Sequence, residues 1–205
     1  MSDGLAPGPD GAPRCAWAVS APEYVAYHDT EWGRPVTGED ALYERLVLEG
    51  FQSGLAWITI LRKRENFRAA FANFEIERVA EFGDDDVQRL LADAGIVRHR
   101  GKIEAAINNA RAARELHGNG ETLRGLIWSH APTTRPAPRT LAEVPATTPE
   151  STALSKALKA RGFRFVGPTT VYAGMQACGV VNDHLAGCAV RDEVEHVYEE
   201  GRDGA

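Results

Sequence analysis

Nowhere in this chain do apolar and polar residues alternate long enough to build a sheet, and that most restricts its fold. Segments with helical periodicity follow one another instead, separated by Gly, Pro and polar turns. EDALYERLVLEGF (39–51), GLAWITILRK (54–63), RENFRAAFANF (64–74) and IERVAEF (76–82) each read as a helix. So do DVQRLLADAG (86–95), KIEAAINNARAARELHG (102–118), STALSKALKARG (151–162) and TTVYAGMQACGVV (169–181). The expectation is an all-α fold. Thr37-Gly38-Glu39-Asp40 resembles a capping box ahead of the first of these helices. The Pro- and Thr-rich stretch 130–150 reads as a loop between helical blocks.

Composition narrows the class. The chain has 205 residues, 43% of them hydrophobic and 25% charged, the profile of an ordinary globular protein. No apolar run approaches the ~18 residues of a membrane span, and the N-terminus lacks a signal peptide's apolar core. Three cysteines, Cys15, Cys178 and Cys188, argue against a disulfide framework and for a reducing, cytoplasmic compartment. The expected organisation is a flexible leader over 1–14, one domain over 15–190 and an acidic tail over 191–205. The net charge is −6; six acids against two arginines give the tail −4, leaving −2 for the rest. Two basic clusters, Arg62-Lys63-Arg64 and Arg98-His99-Arg100-Gly101-Lys102, stand out in the body and are compatible with a DNA-binding face.

Four metal-ligand types lie at the chain's two ends: Cys15 and His28, then His184 and Cys188 in an H-x3-C step. Residues four apart share a helical face or a tight turn, so the second pair matches half of a closed tetrahedral zinc site. Spacing alone equally suits four unrelated core or surface residues.

On a helical wheel, Leu42 and Leu46 lie within about 40° of each other and Glu49 falls about 20° beyond Leu42. Glu49 thus sits on the apolar face, whereas Glu39 and Glu44 do not. A core-side carboxylate needs a partner; edge snorkelling or an arginine would also supply one. Trp17, Tyr24, Tyr27, Trp32 and Trp57 gather three of the four tryptophans in the same third of the chain. Any one of these rings equally suits the core, but together, with polar handles and facing a buried acid, they suit a pocket for a flat ligand; if that ligand is cationic, the ring faces attract it and the carboxylate pairs with it. Residues 84–117 have the layout of a helix–hairpin–helix whose glycine-bracketed turn presents backbone N–H groups to a phosphate; a helical hairpin with a basic turn has the same local pattern.

Long stretches then resemble one family: YVAYHDTEWG (24–33), LEGFQSGLAW (48–57), KRENF (63–67), IVRHRGKI (96–103) and MQACGVVNDH (175–184). Their order and content are similar to the 3-methyladenine DNA glycosylase I family, from about Cys15 to Cys188. The resemblance implies a helix–hairpin–helix glycosylase with a structural zinc held by Cys15, His28, His184 and Cys188, joining the two ends. It implies that Glu49 contacts the excised base and that Trp57 stacks on it. Tyr24, Tyr27, Trp17 and Trp32 would form the remaining walls. Gly54 and Leu55 would wedge into the gap left by the flipped nucleotide, while Arg98, Arg100, Gly101 and Lys102 meet the backbone. The implied partner is alkylated double-stranded DNA and the implied product 3-methyladenine, with no lyase activity and no obligate protein partner. The leader and the acidic tail exceed what that family needs. Two other classes stay open on the residues alone: a zinc-stapled DNA-binding module without activity, and a small-molecule binder that never meets DNA.

Overall fold

A computed structural model describes residues 4–134 and 136–203. Ten α-helices dominate them, as the periodicity predicts. The chain opens with β1 (Leu5–Pro7), β2 (Pro13–Cys15) and α1 (Pro22–Thr30). Next come α2 (Glu39–Gln52), α3 (Trp57–Ala70), α4 (Ile76–Ala80), α5 (Asp84–Ala92), α6 (Arg100–Gly118) and α7 (Leu123–Trp128). After the Pro/Thr loop come α8 (Pro149–Ala160), α9 (Pro168–Ala177) and α10 (Arg191–Asp203). Among the described residues no helix is long and apolar enough to cross a membrane.

The helix α2 runs through the centre, packed by α3, α6, α7 and α9. Its Leu42, Tyr43, Leu48 and Phe51 are all but fully buried. Phe51, Phe67, Phe71 and Phe74 continue the core as a ladder of rings with centroids 4.8 to 6.2 Å apart. At Gly179, φ is +72° and an added Cβ would lie 2.4 Å from a backbone atom of Arg34. Only glycine there lets the 33–36 connector lie against the end of α9, where Gly33 and Val36 N–H donate to the Gln176 and Cys178 carbonyls.

Several expectations need correction. The two helices expected over 54–63 and 64–74 are one, α3, because no Gly or Pro interrupts Trp57–Ala70. The expected flexible leader contains an antiparallel ribbon, Leu5–Pro7 on Pro13–Cys15; residues 1–3 lie outside the described ones. The ribbon is anchored by the buried Arg14, which bonds Asp10 at 2.5 Å and Asp29 at 2.8 Å. No side chain caps α2: its N-cap is Gly38. Asp40 instead accepts from Ile76 N–H at 2.9 Å, and Glu39 caps α7 by accepting from Leu123 and Arg124 N–H. The residues expected as an acidic tail form α10, which buries Val194 and Tyr198 against the domain; residues 204–205 lie outside the described ones. Glu44 is buried too, despite its polar-side position on the wheel, because Arg68 of α3 reaches it at 2.8 Å.

Candidate functional site

One end of α2 and the ends of α1, α3 and α9 surround a cavity of about 350 Å³. Trp17, Tyr24, Tyr27, Trp32 and Trp57 wall it, and Glu49 lines it from α2. Trp57 is the first residue of α3, and that helix start is positioned by the Tyr24 hydroxyl, which accepts from Ile58 N–H at 2.8 Å. Tyr27 and Trp57 meet with centroids 5.5 Å apart and planes tilted by 45°. Trp17 packs edge-on against both Tyr24 and Trp32. The Trp57 indole N–H is buried without an acceptor, a polar group that protein interiors seldom leave unmatched.

Glu49 is 5% exposed. Burial pushes its carboxyl up to about 8, opposed by the Arg45 guanidinium one helical turn earlier. Burial first and the Glu49 charge second push the Tyr27 hydroxyl up as well. Arg45 itself is held by Glu31, which also receives two bonds from Arg64 at 2.6 and 2.7 Å. Burial thus favours the neutral form of this carboxyl.

Beside the cavity lies the second cluster. Cys15, His28, His184 and Cys188 are all buried, and their ligand atoms lie within 4.8 Å of one another. His28 Nε2 and His184 Nδ1 are 3.0 Å apart, with Cys188 Sγ at 3.6 and 3.7 Å from them. The far nitrogens are engaged: His28 Nδ1 with Asp29 at 2.7 Å, and His184 Nε2 with the Trp32 carbonyl at 3.1 Å. Each imidazole therefore turns its free nitrogen inward, the arrangement in which outer partners orient metal ligands. Two thiols and two such imidazoles converging in a buried spot can hold a metal ion. The imidazoles also pack on the cavity wall, His28 against Trp17 at 5.3 Å and His184 against Trp32 at 4.7 Å.

The methyladenine glycosylase family model matches residues 17–192. The chain is 54% identical over 178 residues to DNA-3-methyladenine glycosylase 1 of Escherichia coli (strain K12), covering 85% of this chain and 95% of that protein. It is 44% identical to the DNA-3-methyladenine glycosylase of Haemophilus influenzae, over 85% of this chain and 96% of that one. This chain belongs to the methyladenine glycosylase family. Its fold matches 3-methyladenine DNA glycosylase I from Staphylococcus aureus, solved to explain 3-methyladenine recognition, with a TM-score of 0.82 and 34% identity, over 87% of this chain and 96% of that one.

In this methyladenine glycosylase the six residues anticipated for base contact, Glu49 and the five rings, meet in one cavity. Sequence reasoning missed Gln52, Gln176 and Asp183, which also line it. Asp183 accepts from Tyr172 at 2.6 Å and from Gln176 at 2.8 Å, which fixes the Gln176 amide. Both lie inside the 175–184 motif, so a signal existed; Leu141 and Val144, from the Pro/Thr loop, carried none.

The basic clusters fare differently. All three members of the first are engaged: Arg62 with Glu23, Arg64 with Glu31, and Lys63 with the Ala94 and Gly95 carbonyls. In the second, Arg98 and Arg100 are exposed. Lys102 is not the free cation expected. Its ammonium donates to the Phe51 carbonyl at 2.9 Å and the Ser53 carbonyl at 2.6 Å, closing the end of α2. Lys102 thus braces the end of α2 from α6, and Lys63 braces the turn 93–99 from α3. Gly54 turns with φ +82° and Leu55 stands 38% exposed at the tip of the first. His99 caps α6 by accepting from Lys102 N–H at 3.2 Å.

Proposed function

We propose that this chain hydrolyses the N-glycosidic bond of 3-methyladenine in alkylated double-stranded DNA and releases the free base. The observation that carries the reading is Glu49: a buried carboxyl lining a ring-walled cavity of about 350 Å³, with room for a base. Relatives named DNA-3-methyladenine glycosylase support it.

The damaged nucleotide leaves the stack and enters the cavity. Methylation at N3 makes the base cationic, so the rings attract it. A cation beside Glu49 favours the carboxylate, and the proton held at neutral pH is released as the ion pair forms. Neutral adenine gains no such pair, which gives discrimination by charge. The bond from sugar carbon to base then breaks, its electron pair stays on the base, and the base leaves neutral. Water adds to the sugar carbon and loses a proton. Because the cationic base is already a good leaving group, the site's main task is recognition.

The Cys15–His28–His184–Cys188 set suits a closed structural zinc site, since two thiolates and two oriented imidazoles leave no position for substrate. Bound there, zinc would tie the N-terminal ribbon and α1 to the segment before α10. The helix α5, the turn 93–99 and α6 are read as a helix–hairpin–helix, with Arg98, Arg100 and the Gly101 backbone meeting phosphates and Gly54-Leu55 entering the duplex. Lys102 serves this face by bracing it.

The test is release of 3-methyladenine from methylated duplex DNA by purified protein. Release that falls about a hundredfold in Glu49→Gln supports the reading; full activity in that variant removes Glu49 from recognition.

A further inference from the structure

Among the described residues three large apolar side chains stand exposed: Leu55, Leu141 and Phe165. Leu141 lines the cavity and Leu55 caps the turn after α2. Phe165 is 42% exposed and has no role in what precedes. Its backbone is also in the left-handed region, φ +55°, which costs any residue with a Cβ. An exposed ring in a strained conformation persists only where its surroundings impose it.

Those surroundings are built for the purpose. Asn109 of α6, 3% exposed, accepts from Arg164 N–H at 2.7 Å and donates to the Arg164 carbonyl at 2.9 Å. Ser155 of α8, also buried, donates to the Val166 carbonyl at 2.6 Å. Asn108 holds the Gly162 carbonyl at 2.7 Å. The residues before and after Phe165 are therefore pinned by buried amide and hydroxyl groups, and the ring is pushed outward between them. It lies against α2 at Gly50, where an added Cβ would be 3.4 Å from the Phe165 Cβ, and its ring meets His99 with centroids 6.5 Å apart. Phe165 thus stands beside the cap of α6, next to the residue that follows Glu49. The neighbouring side chains Arg164, Arg98 and Arg100 are exposed and basic, Arg100 reaching Glu104 only at 3.4 Å. An apolar ring framed by cations fits a polyanion that carries flat bases.

We propose that Phe165 is a second DNA-facing wedge residue, whose ring stacks on a base next to the extruded nucleotide. The proposal rests on the glycosylase reading and adds a residue on the far side of α2 from the cavity.

Glycine at this position removes the ring and relieves the left-handed strain together, so function and stability should move in opposite directions. Phe165→Gly and Phe165→Ala are compared with the parent in four measurements: thermal midpoint, binding of free 3-methyladenine by tryptophan fluorescence, affinity for a duplex carrying one abasic-site analogue across a salt series, and single-turnover base release. The expected result for Phe165→Gly is a midpoint at or above the parent's and free-base affinity within about twofold. Duplex affinity and release should each fall about tenfold, the loss of one stacked base, with the salt slope unchanged because no charge is removed. Duplex affinity within twofold of the parent overturns the proposal, as does a parent that does not bind the duplex. A parent that binds the duplex but releases no base defeats the glycosylase reading, and the duplex arm still decides the ring.

Discussion

Two groups of aromatic rings flank the last turns of α2, and they do opposite things. Phe51, Phe67, Phe71 and Phe74 close on one another and leave no space. Trp17, Tyr24, Tyr27, Trp32 and Trp57, with Glu49 among them, surround a cavity of about 350 Å³. Glu49 and Phe51 are two residues apart, so one helix sends them to opposite sides. The difference lies in the edges of the rings. Phenylalanines offer only hydrocarbon and pack to crystal-like density. Indoles and phenols carry N–H and O–H groups that need partners when buried. Here the Tyr24 hydroxyl is matched, while the Trp57 N–H is buried without an acceptor. A core can be closed by shape alone; rings with polar edges also have to find partners for those edges, and pack less completely.

Four experiments would break or sharpen that contrast. The largest effect belongs to the cluster behind the pocket wall. If zinc occupies it, stripping the metal or making Cys188→Ala removes up to ~10 kcal/mol of binding free energy, comparable with the stability of a whole domain. Fluorescence of Trp17 and Trp32 should then change before the phenylalanine core opens to amide exchange. Purified protein without stoichiometric zinc on metal analysis would defeat this.

Next, Phe71→Ala empties a fully buried site and should cost about 3–5 kcal/mol in denaturant unfolding. At a temperature where the variant is still folded, base release should stay near the parent's rate. A large loss of release there would mean the two regions are not independent.

Third, Glu49→Gln should gain stability where it loses function. Burial raises the folded carboxyl from 4.5 to about 8, so the folded state holds a proton that the unfolded state has given up. The stability this proton supplies is full below pH 4.5, declines as pH rises, and is gone above about pH 8. The Gln variant has no such slope and should be more stable than the parent by about 2–4 kcal/mol at pH 9, measured by urea unfolding across pH. Parallel pH profiles would show that Glu49 is not strained by burial.

The smallest change turns a pocket ring into a core-like one. Tyr24→Phe removes the acceptor for Ile58 N–H and should cost about 1 kcal/mol. By releasing the start of α3 it should weaken 3-methyladenine binding a few-fold, read by fluorescence titration. Unchanged affinity would leave Tyr24 as a wall and nothing more.

Some of this was legible beforehand because it is local. Helix periodicity placed Glu49 on the apolar side, and the H-x3-C step marked His184 and Cys188; both depend on residues within a turn or two of each other. The same reasoning left Glu44 on the wet side, since the Arg68 that buries it lies 24 residues away. It read the leader as flexible because Gly and Pro counted for more than the Asp29 that anchors Arg14 from 15 residues off. It could not separate the two basic clusters, which look alike as strings.

The amino-acid order by itself therefore determined where helices run, which way α2 presents its acid, and which residue types are available for a pocket and a metal. The tertiary structure alone decided that five rings and one carboxyl meet around a cavity, that every member of Arg62-Lys63-Arg64 is engaged while Arg98 stands exposed, and that Lys102 braces carbonyls. Periodicity is set by backbone geometry over a few residues. Whether a charge is free or a ring is covered depends on groups that only folding brings within a few ångströms.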